Sequence, residues 1–330
     1  MALENTLVGQ KRFVIAWDED PDATTSGAWG TKPVSPSTFL LPLDTCDVNL
    51  RKDRRNNKPY FGQFATKHGR SYRGMPQGNM AGALHGYKPA NLSISIAEWL
   101  FNQALNDPTA TEINSFGIED VQGPDLTNKQ INGLRFNTFT LQGSESSGRV
   151  EWSGDVMGKS ESQVDTTSYS VPDDMEKLLD FEFQDVTFEL DLAGGTSWTE
   201  WKIDSFNLTC NNGLKPKYLN SRTPTMLKRT MRDRNFQVVI PKHVDTWDDY
   251  ARVLTSDAEP SARLTLLGLH NGTLSNAYTK VIIVFPRLQL VSGPQDRWAV
   301  EDYAMQTLDF QCLKPDTSTN ELTHTWSTQA

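Results

Sequence analysis

Residues 43–50 read LDTCDVNL, and residues 203–210 read IDSFNLTC. Position by position the two octets pair Leu with Ile, Asp with Asp, Thr with Ser, Cys with Phe, Asp with Asn, Val with Leu, Asn with Thr and Leu with Cys. In the first, Cys46, Val48 and Leu50 alternate with Thr45, Asp47 and Asn49; in the second, Phe206, Leu208 and Cys210 alternate with Ser205, Asn207 and Thr209. A period of two, apolar against polar, is the mark of a half-buried β-strand. One octet proves little by itself. The test of a repeat is whether later features return in the same order.

They do. After the first octet comes SIAEWLFNQAL (95–105), where Ser95 and Glu98 have capping-box spacing and Ile96, Trp99 and Leu100 form a helical stripe. After the second comes TWDDYARVL (246–254), with Thr246 as a cap and Trp247, Tyr250, Ala251 and Leu254 at i, i+3, i+4 and i+7. Each helix leads into a hairpin pattern. One spans 134–159 around the turn GSESSG, and the other spans 280–312 around Gly293-Pro294. Phe139 and Leu141 match Leu288 and Leu290 at an offset of 149, against 160 at the octets, so the first copy holds the longer loop, between Leu50 and Ser95.

The expectation is a mainly β chain of two tandem β-sandwich or barrel units, each with one flanking α-helix and a long basic loop or hairpin. Residues 1–170 form the first unit, with an N-terminal arm and a long basic loop (51–90). Residues 171–330 form the second, with a C-terminal tail. The polar, acidic stretch 160–180, containing Pro172, reads as the linker. Beyond it, VTFELDL (186–192) alternates cleanly: Val186, Phe188, Leu190 and Leu192 inward, Thr187, Glu189 and Asp191 on an open acidic face.

Charge is unevenly placed. The formal net charge is −9, yet residues 51–74 hold eight Lys/Arg and the single acid Asp53, leaving 24 basic against 40 acidic residues elsewhere. From Arg51 to Ala83 there is no Leu, Ile or Val, while Tyr60, Phe61, Phe64 and Tyr72 stand among Arg51, Lys52, Arg54, Arg55, Lys58, Lys67, Arg70 and Arg73. Such a segment builds no core of its own; it suits an arm that orders on a partner, and Arg and Tyr are favoured interface side chains. A nucleic-acid arm is the competing reading, opposed by the acidic remainder of the chain. The second copy's counterpart (211–242) is basic too, through Lys215, Lys217, Arg222, Lys228, Arg229, Arg232 and Arg234.

Enzyme chemistry has no foothold in the pattern. The five histidines fall in no HExxH or HxH arrangement, and no GxSxG, GxGxxG or P-loop spacing occurs. WDEDPD (17–22) lacks EF-hand spacing and reads as a solvated acidic turn. Cys46, Cys210 and Cys312 fit no metal or disulfide framework and read as small buried hydrophobes. No cofactor is expected. The longest apolar run, VIIVFP (281–286), is too short to span a bilayer, and the first residues lack the pattern of a secretory signal, so synthesis in a cytoplasm is the expectation.

INGLRFNTFTLQGSESSGRVEWSGDVMGK (131–159) resembles the hairpin of long-tailed bacteriophage tail tube proteins, SFNLTCNNGLKPKY (205–218) is similar to a strand and long loop of that family, and TSGAWGT resembles its opening segment. The resemblance implies a structural virion protein whose subunits join edge to edge into rings, the rings stacking into the tube that delivers DNA. A doubled chain then implies a homotrimeric ring, with a homohexamer as the alternative. Its partners would be further copies of itself, the tape measure protein, the tail terminator and tail tip proteins. DNA would pass the lumen without specific binding, with no membrane involved. On this reading the fifteen contact residues between subunits or rings are Arg51, Lys52, Arg54, Arg55, Lys58, Tyr60, Phe61, Phe64, Lys67, Arg70, Tyr72, Arg73, Lys228, Arg229 and Arg232, and Glu189 and Asp191 face the lumen. Rival readings are a lectin-like or receptor-binding β-sandwich of a phage tail, a head–tail joining ring, and a hydrolase with a carboxylate pair that the sequence does not reveal.

Overall fold

Alternating sequences of this kind pair into antiparallel sheets, and in the computed structural model they do so along most of the described chain. The structure describes residues 13–19, 29–32, 37–57, 68–89, 92–105, 114–121, 128–164, 180–192, 197–230, 232–241, 259–268, 280–297, 305–314 and 321–327. The first part holds β1 (Phe13–Glu19), β2 (Phe39–Leu41), β3 (Thr45–Cys46), β4 (Asn49–Asn57), β5 (His68–Ala83), α1 (Ile96–Ala104), β6 (Ser115–Val121), β7 (Asn128–Ser144), β8 (Val150–Met157) and β9 (Ser160–Val164). The second holds β10 (Phe181–Asp191), β11 (Thr199–Trp201), β12 (Ser205–Asn211), β13 (Leu214–Lys217), β14 (Met226–Arg229) and β15 (Asp233–Pro241). It continues with β16 (Ser261–Gly268), β17 (Lys280–Phe285), β18 (Leu288–Arg297), β19 (Met305–Cys312) and β20 (Thr323–Ser327).

One layer is a continuous row of strands in the order β4-β5-β8-β7-β12-β15-β19-β18, with β3 extending the β4 edge along β5. Against it lie two shorter rows, β2-β1-β6-β7-β9 and β11-β10-β16-β17-β20. The long strand β7 serves both layers. Its start pairs with β6 and β9, and its end with β8 and β12. In the second half the same path is divided into β17 and β18, separated by Pro286-Arg287.

The order β4-β5-β8-β7 is thus the order β12-β15-β19-β18, and β2-β1-β6-β7-β9 is the order β11-β10-β16-β17-β20. Registers agree as well. Asn49 faces Gln77, which faces Met157, which faces Arg135; Thr209 faces Asn235, which faces Gln311, which faces Gln289. A β-bulge interrupts β7 at Asn137 and β18 at Val291, each with the same neighbours in the ladder. This places the hairpins at an offset of 154 rather than 149. Matching Leu-x-Leu to Phe-x-Leu chose the wrong register because a bulge shifts the alternation by one residue.

The core fills the space between layers. Trp99, Phe116, Phe136, Phe139, Trp152, Phe188, Phe236 and Phe285 are all buried in one cluster. The helix begins as expected: the Glu98 amide donates to Ser95 Oγ at 3.1 Å, and Trp99, Leu100 and Phe101 face inward. Its far end has no glycine cap. The carbonyls of Ala104 and Leu105 instead accept from Asn212 Nδ2 (3.1 Å) and Arg234 Nη2 (2.5 Å), side chains of the second half.

Several expectations need correction. Of the basic stretch, residues 51–57 and 68–74 pair as β4 against β5, the hairpin form rather than the loop, and 58–67 lie outside the described residues. Gly293-Pro294 lies within the bulged edge strand β18 and is not its turn; an edge or a bulge tolerates a proline that cannot donate. The linker loses its first residues to β9, which pairs with β7. Trp17 and Glu19 are buried where β1 ends, while Asp18, though exposed, has its Oδ1 accept from Trp99 Nε1 (2.5 Å) and Gln103 Nε2 (2.8 Å); residues 20–22 lie outside the described residues. Cys210 and Cys312 are buried as expected and Cys46 is half-buried; burial pushes the Cys210 thiol up to about 11. The helix expected at 246–254 lies outside the described residues.

Candidate functional site

Each strand of the eight-strand row turns one set of side chains into the core and the other onto an open face. Across the centre of that face run Ser153, Thr140, Thr209, Asn235 and Gln311, each opposite the next. The adjacent row is Glu151, Gln142, Asn207, Gln237 and Asp309. On the other side lie Asn79, Asp155, Thr138, Asn211 and Asp233. These fifteen positions hold amides, hydroxyls and carboxylates, and no lysine or arginine. Neighbouring groups bind one another: Gln237 Nε2 donates to Asp309 (2.5 Å), Asn137 Nδ2 to Asp155 (3.2 Å) and Asn235 Nδ2 to Asp233 (3.1 Å).

Among the described residues the row ends in two edges with no further strand, β4 and β18. The Asp47 amide points to β5, donating to Asn79 O at 2.8 Å, so the alternation of an antiparallel ladder turns the Val48 and Leu50 amides outward. The outward Leu50 amide donates to the Glu161 carboxylate at 2.7 Å. At the opposite edge Val291 is 64% exposed. Exposed edges of this length invite pairing with another chain.

A layered antiparallel sheet with exposed edges and a polar face whose centre holds no lysine or arginine fits a part that assembles with further copies. The family model for the phage tail tube protein matches residues 22–312. The chain belongs to that family. None of the curated proteins compared with it matches. As a tail tube protein it is a structural, non-enzymatic component of the phage virion tail, and it assembles with itself into the tube.

The expected contact residues of this tail tube protein fall in two hairpins. Arg51, Lys52, Arg54 and Arg55 lie on β4, and Arg70, Tyr72 and Arg73 on the facing part of β5. Lys58, Tyr60, Phe61, Phe64 and Lys67 lie outside the described residues. Lys228 and Arg229 lie on β14, which pairs with β13; Arg232 follows and is ion-paired with Glu321. The structure brings the two hairpins together. The Arg73 guanidinium stacks on the Tyr218 ring at 4.8 Å, the Gly74 amide donates to Arg222 O (2.9 Å), and Leu214 and Leu227 pack with Met75, Met157 and Trp29. Arg135 Nη1, itself buried, donates to Leu227 O at 3.2 Å.

Glu189 and Asp191 do not stand on an open acidic face. Both Glu189 oxygens accept from Arg263 (2.5 and 2.6 Å), and Asp191 is buried, accepting from the Ser197 amide at 2.8 Å. Alternation identifies which residues leave the core, but a cross-strand arginine and a turn have taken up these two. Sequence reading also missed Glu19. Its carboxylate, at 1% exposure, accepts from the Gly30 amide (2.8 Å) and the Gly133 amide (2.7 Å) and so fastens the 29–32 segment to β7. Burial pushes its pKa up to about 7.

Proposed function

We propose that the chain is a doubled tail tube subunit, residues 1–170 and 171–330 each supplying one unit, and that three copies close into one ring of the tube. The observation that carries this reading is the repeated strand order, with its shared bulge, inside one uninterrupted eight-strand row. A heterologous edge gives a finite ring only when its rotation closes, and a doubled chain reaches a pseudo-sixfold ring with three joints instead of six. Size distinguishes three copies from six. Eight strands per copy, spaced about 4.8 Å and tilted about 40°, close at a strand-to-strand diameter of roughly 48 Å for three copies and about twice that for six.

The open face of the row is the proposed lumen wall. Duplex DNA carries a charge about every 1.7 Å and is held by the cations that neutralise it, so a wall whose centre is amides, hydroxyls and carboxylates, with Arg51 only at its β4 edge, lets it slide. Glu189 and Asp191 have no part in this wall. Stacking follows the strand direction. The basic β4–β5 hairpin lies at one end of the row, while Glu145, Asp180, Glu182 and Glu200 outnumber Arg149 and Lys202 around a groove at the other end. Basic tips of one ring would meet that acidic end of the next, and the tape measure, terminator and tip proteins would occupy the bore and the two ends. The test is electron microscopy of the purified chain at rising concentration: hollow tubes with a regular axial repeat are expected. Discrete small oligomers that never elongate would refute the reading and favour a single joining ring.

A further inference from the structure

We propose that the free edge of β4, from Val48 to Lys52, receives the β18 edge of a second copy, in the register that β7 holds on β12 within one copy. This rests on the tube reading and adds the residue pairing to it. The chain carries its own template. β4 stands in the first half where β12 stands in the second, and β18 stands where β7 stands. At the internal joint Thr138 faces Asn211 and Thr140 faces Thr209. Ser292 occupies the place of Thr138, since its partner Asp309 occupies that of Asp155. Gln295, facing Thr307, occupies the place of Thr140, facing Ser153. Transferred, the pattern sets Ser292 of one copy opposite Arg51 of the next, and Gln295 opposite Asn49.

Three separate observations agree with that joint. The Leu50 amide, which corresponds to that of Cys210 opposite Phe139, is held at 2.7 Å by Glu161 of its own chain, a carboxylate standing in for the absent strand. Val291, the exposed residue at the β18 bulge, corresponds to Asn137, whose carbonyl accepts the Asn212 amide at 2.7 Å; on transfer, the Lys52 amide meets the Val291 carbonyl. Charge also fits. Inside one copy the 212–232 excursion rests on Met75 and Met157, and the corresponding positions at the open end are Asp233 and Gln311, polar seats for a tract beginning with Arg51 and Lys52. Glu161 then shields the edge of a lone subunit and is displaced when the strand arrives.

The test is disulfide trapping in assembled tubes. Arg51 and Ser292 would form a non-hydrogen-bonded pair, with Cα atoms about 4.5 Å apart, within disulfide reach. A chain carrying both Arg51→Cys and Ser292→Cys should give covalent dimers and trimers on a non-reducing gel after mild oxidation, and either substitution alone should not. Tubes that form without this cross-link would overturn the register, as would efficient linking of Val48→Cys with Leu290→Cys, the pairing given by the 149-residue offset. Amide exchange on the unaltered chain needs no substitution. Val48 and Leu50 should slow on the order of 100-fold on assembly. Unchanged rates in tubes, or protection only after another tail protein is added, would overturn the proposal. Failure of the unaltered chain to form tubes at all would remove the tube reading itself, and this joint with it.

Discussion

Asn212 ties the two halves of the chain through two buried hydrogen bonds, and its removal has a calculable cost. The side chain is 1% exposed, and its amide nitrogen donates to Ala104 O at 3.1 Å and Phe136 O at 3.0 Å. The first acceptor ends α1; the second lies on β7 beside the joint with β12. Replacing Asn212 by Ala leaves both carbonyls without that donor in a closed environment, at about 1–2 kcal/mol each, so about 2–4 kcal/mol in total. With an unfolding entropy near 2.1 cal/mol/K per residue, a chain of 330 residues loses roughly 1.4 °C of Tm per kcal/mol. The expected drop is therefore about 3–6 °C, read by calorimetry of the unassembled chain. Thr140→Ala, on the open face, is the control and should stay within about 0.5 kcal/mol. A drop below 1 °C for Asn212→Ala, or one no larger than the control's, would show that these bonds do not hold the halves together.

Glu19 gives a pH dependence of definite sign. Its folded pKa of about 7 lies above the ordinary 4.5, so the folded chain keeps a proton that the unfolded chain releases. This contribution is complete below pH 4.5 and is lost as pH rises through 7, in all about 3 kcal/mol. Urea titrations at pH 5 and pH 8 should differ accordingly, and Glu19→Gln should flatten the difference; a slope that survives the substitution would assign it elsewhere. The lumen wall is tested by Thr140→Arg. It should leave tube assembly intact while slowing DNA ejection from assembled virions, more strongly at low salt, and an unchanged ejection rate would take Thr140 off the DNA path.

Local pattern carried much of this fold. The octet at 203–210, the Ser95 cap with its Trp99 stripe and the GSESSG turn are all short-range signals, and each appears as read. What escaped depends on long-range contact. β5 is rich in glycine and alanine and shows no apolar alternation, yet it pairs on both sides, because Gly78 lets the chain near Asp47 pass where a Cβ would stand 1.8 Å from the Asp47 carbonyl oxygen. The bulges at Asn137 and Val291 are invisible in composition but reset the correspondence of the halves by five residues. Glu189 and Asp191 were read from alternation alone, which says nothing of the arginine on the next strand. The assembly face was legible only in outline: the basic hairpins were located, whereas the fifteen central positions without lysine or arginine required the strand order.

The central claim is that two similar halves of one chain, taken three times, make the wall of the tube. A cryo-electron microscopy cross-section of assembled tubes tests it directly. The account predicts three chains per ring, six near-equivalent lobes and an inner strand wall roughly 48 Å across. Six chains per ring, a wall of about twice that width, or halves whose backbones do not superpose in the assembled subunit would contradict it.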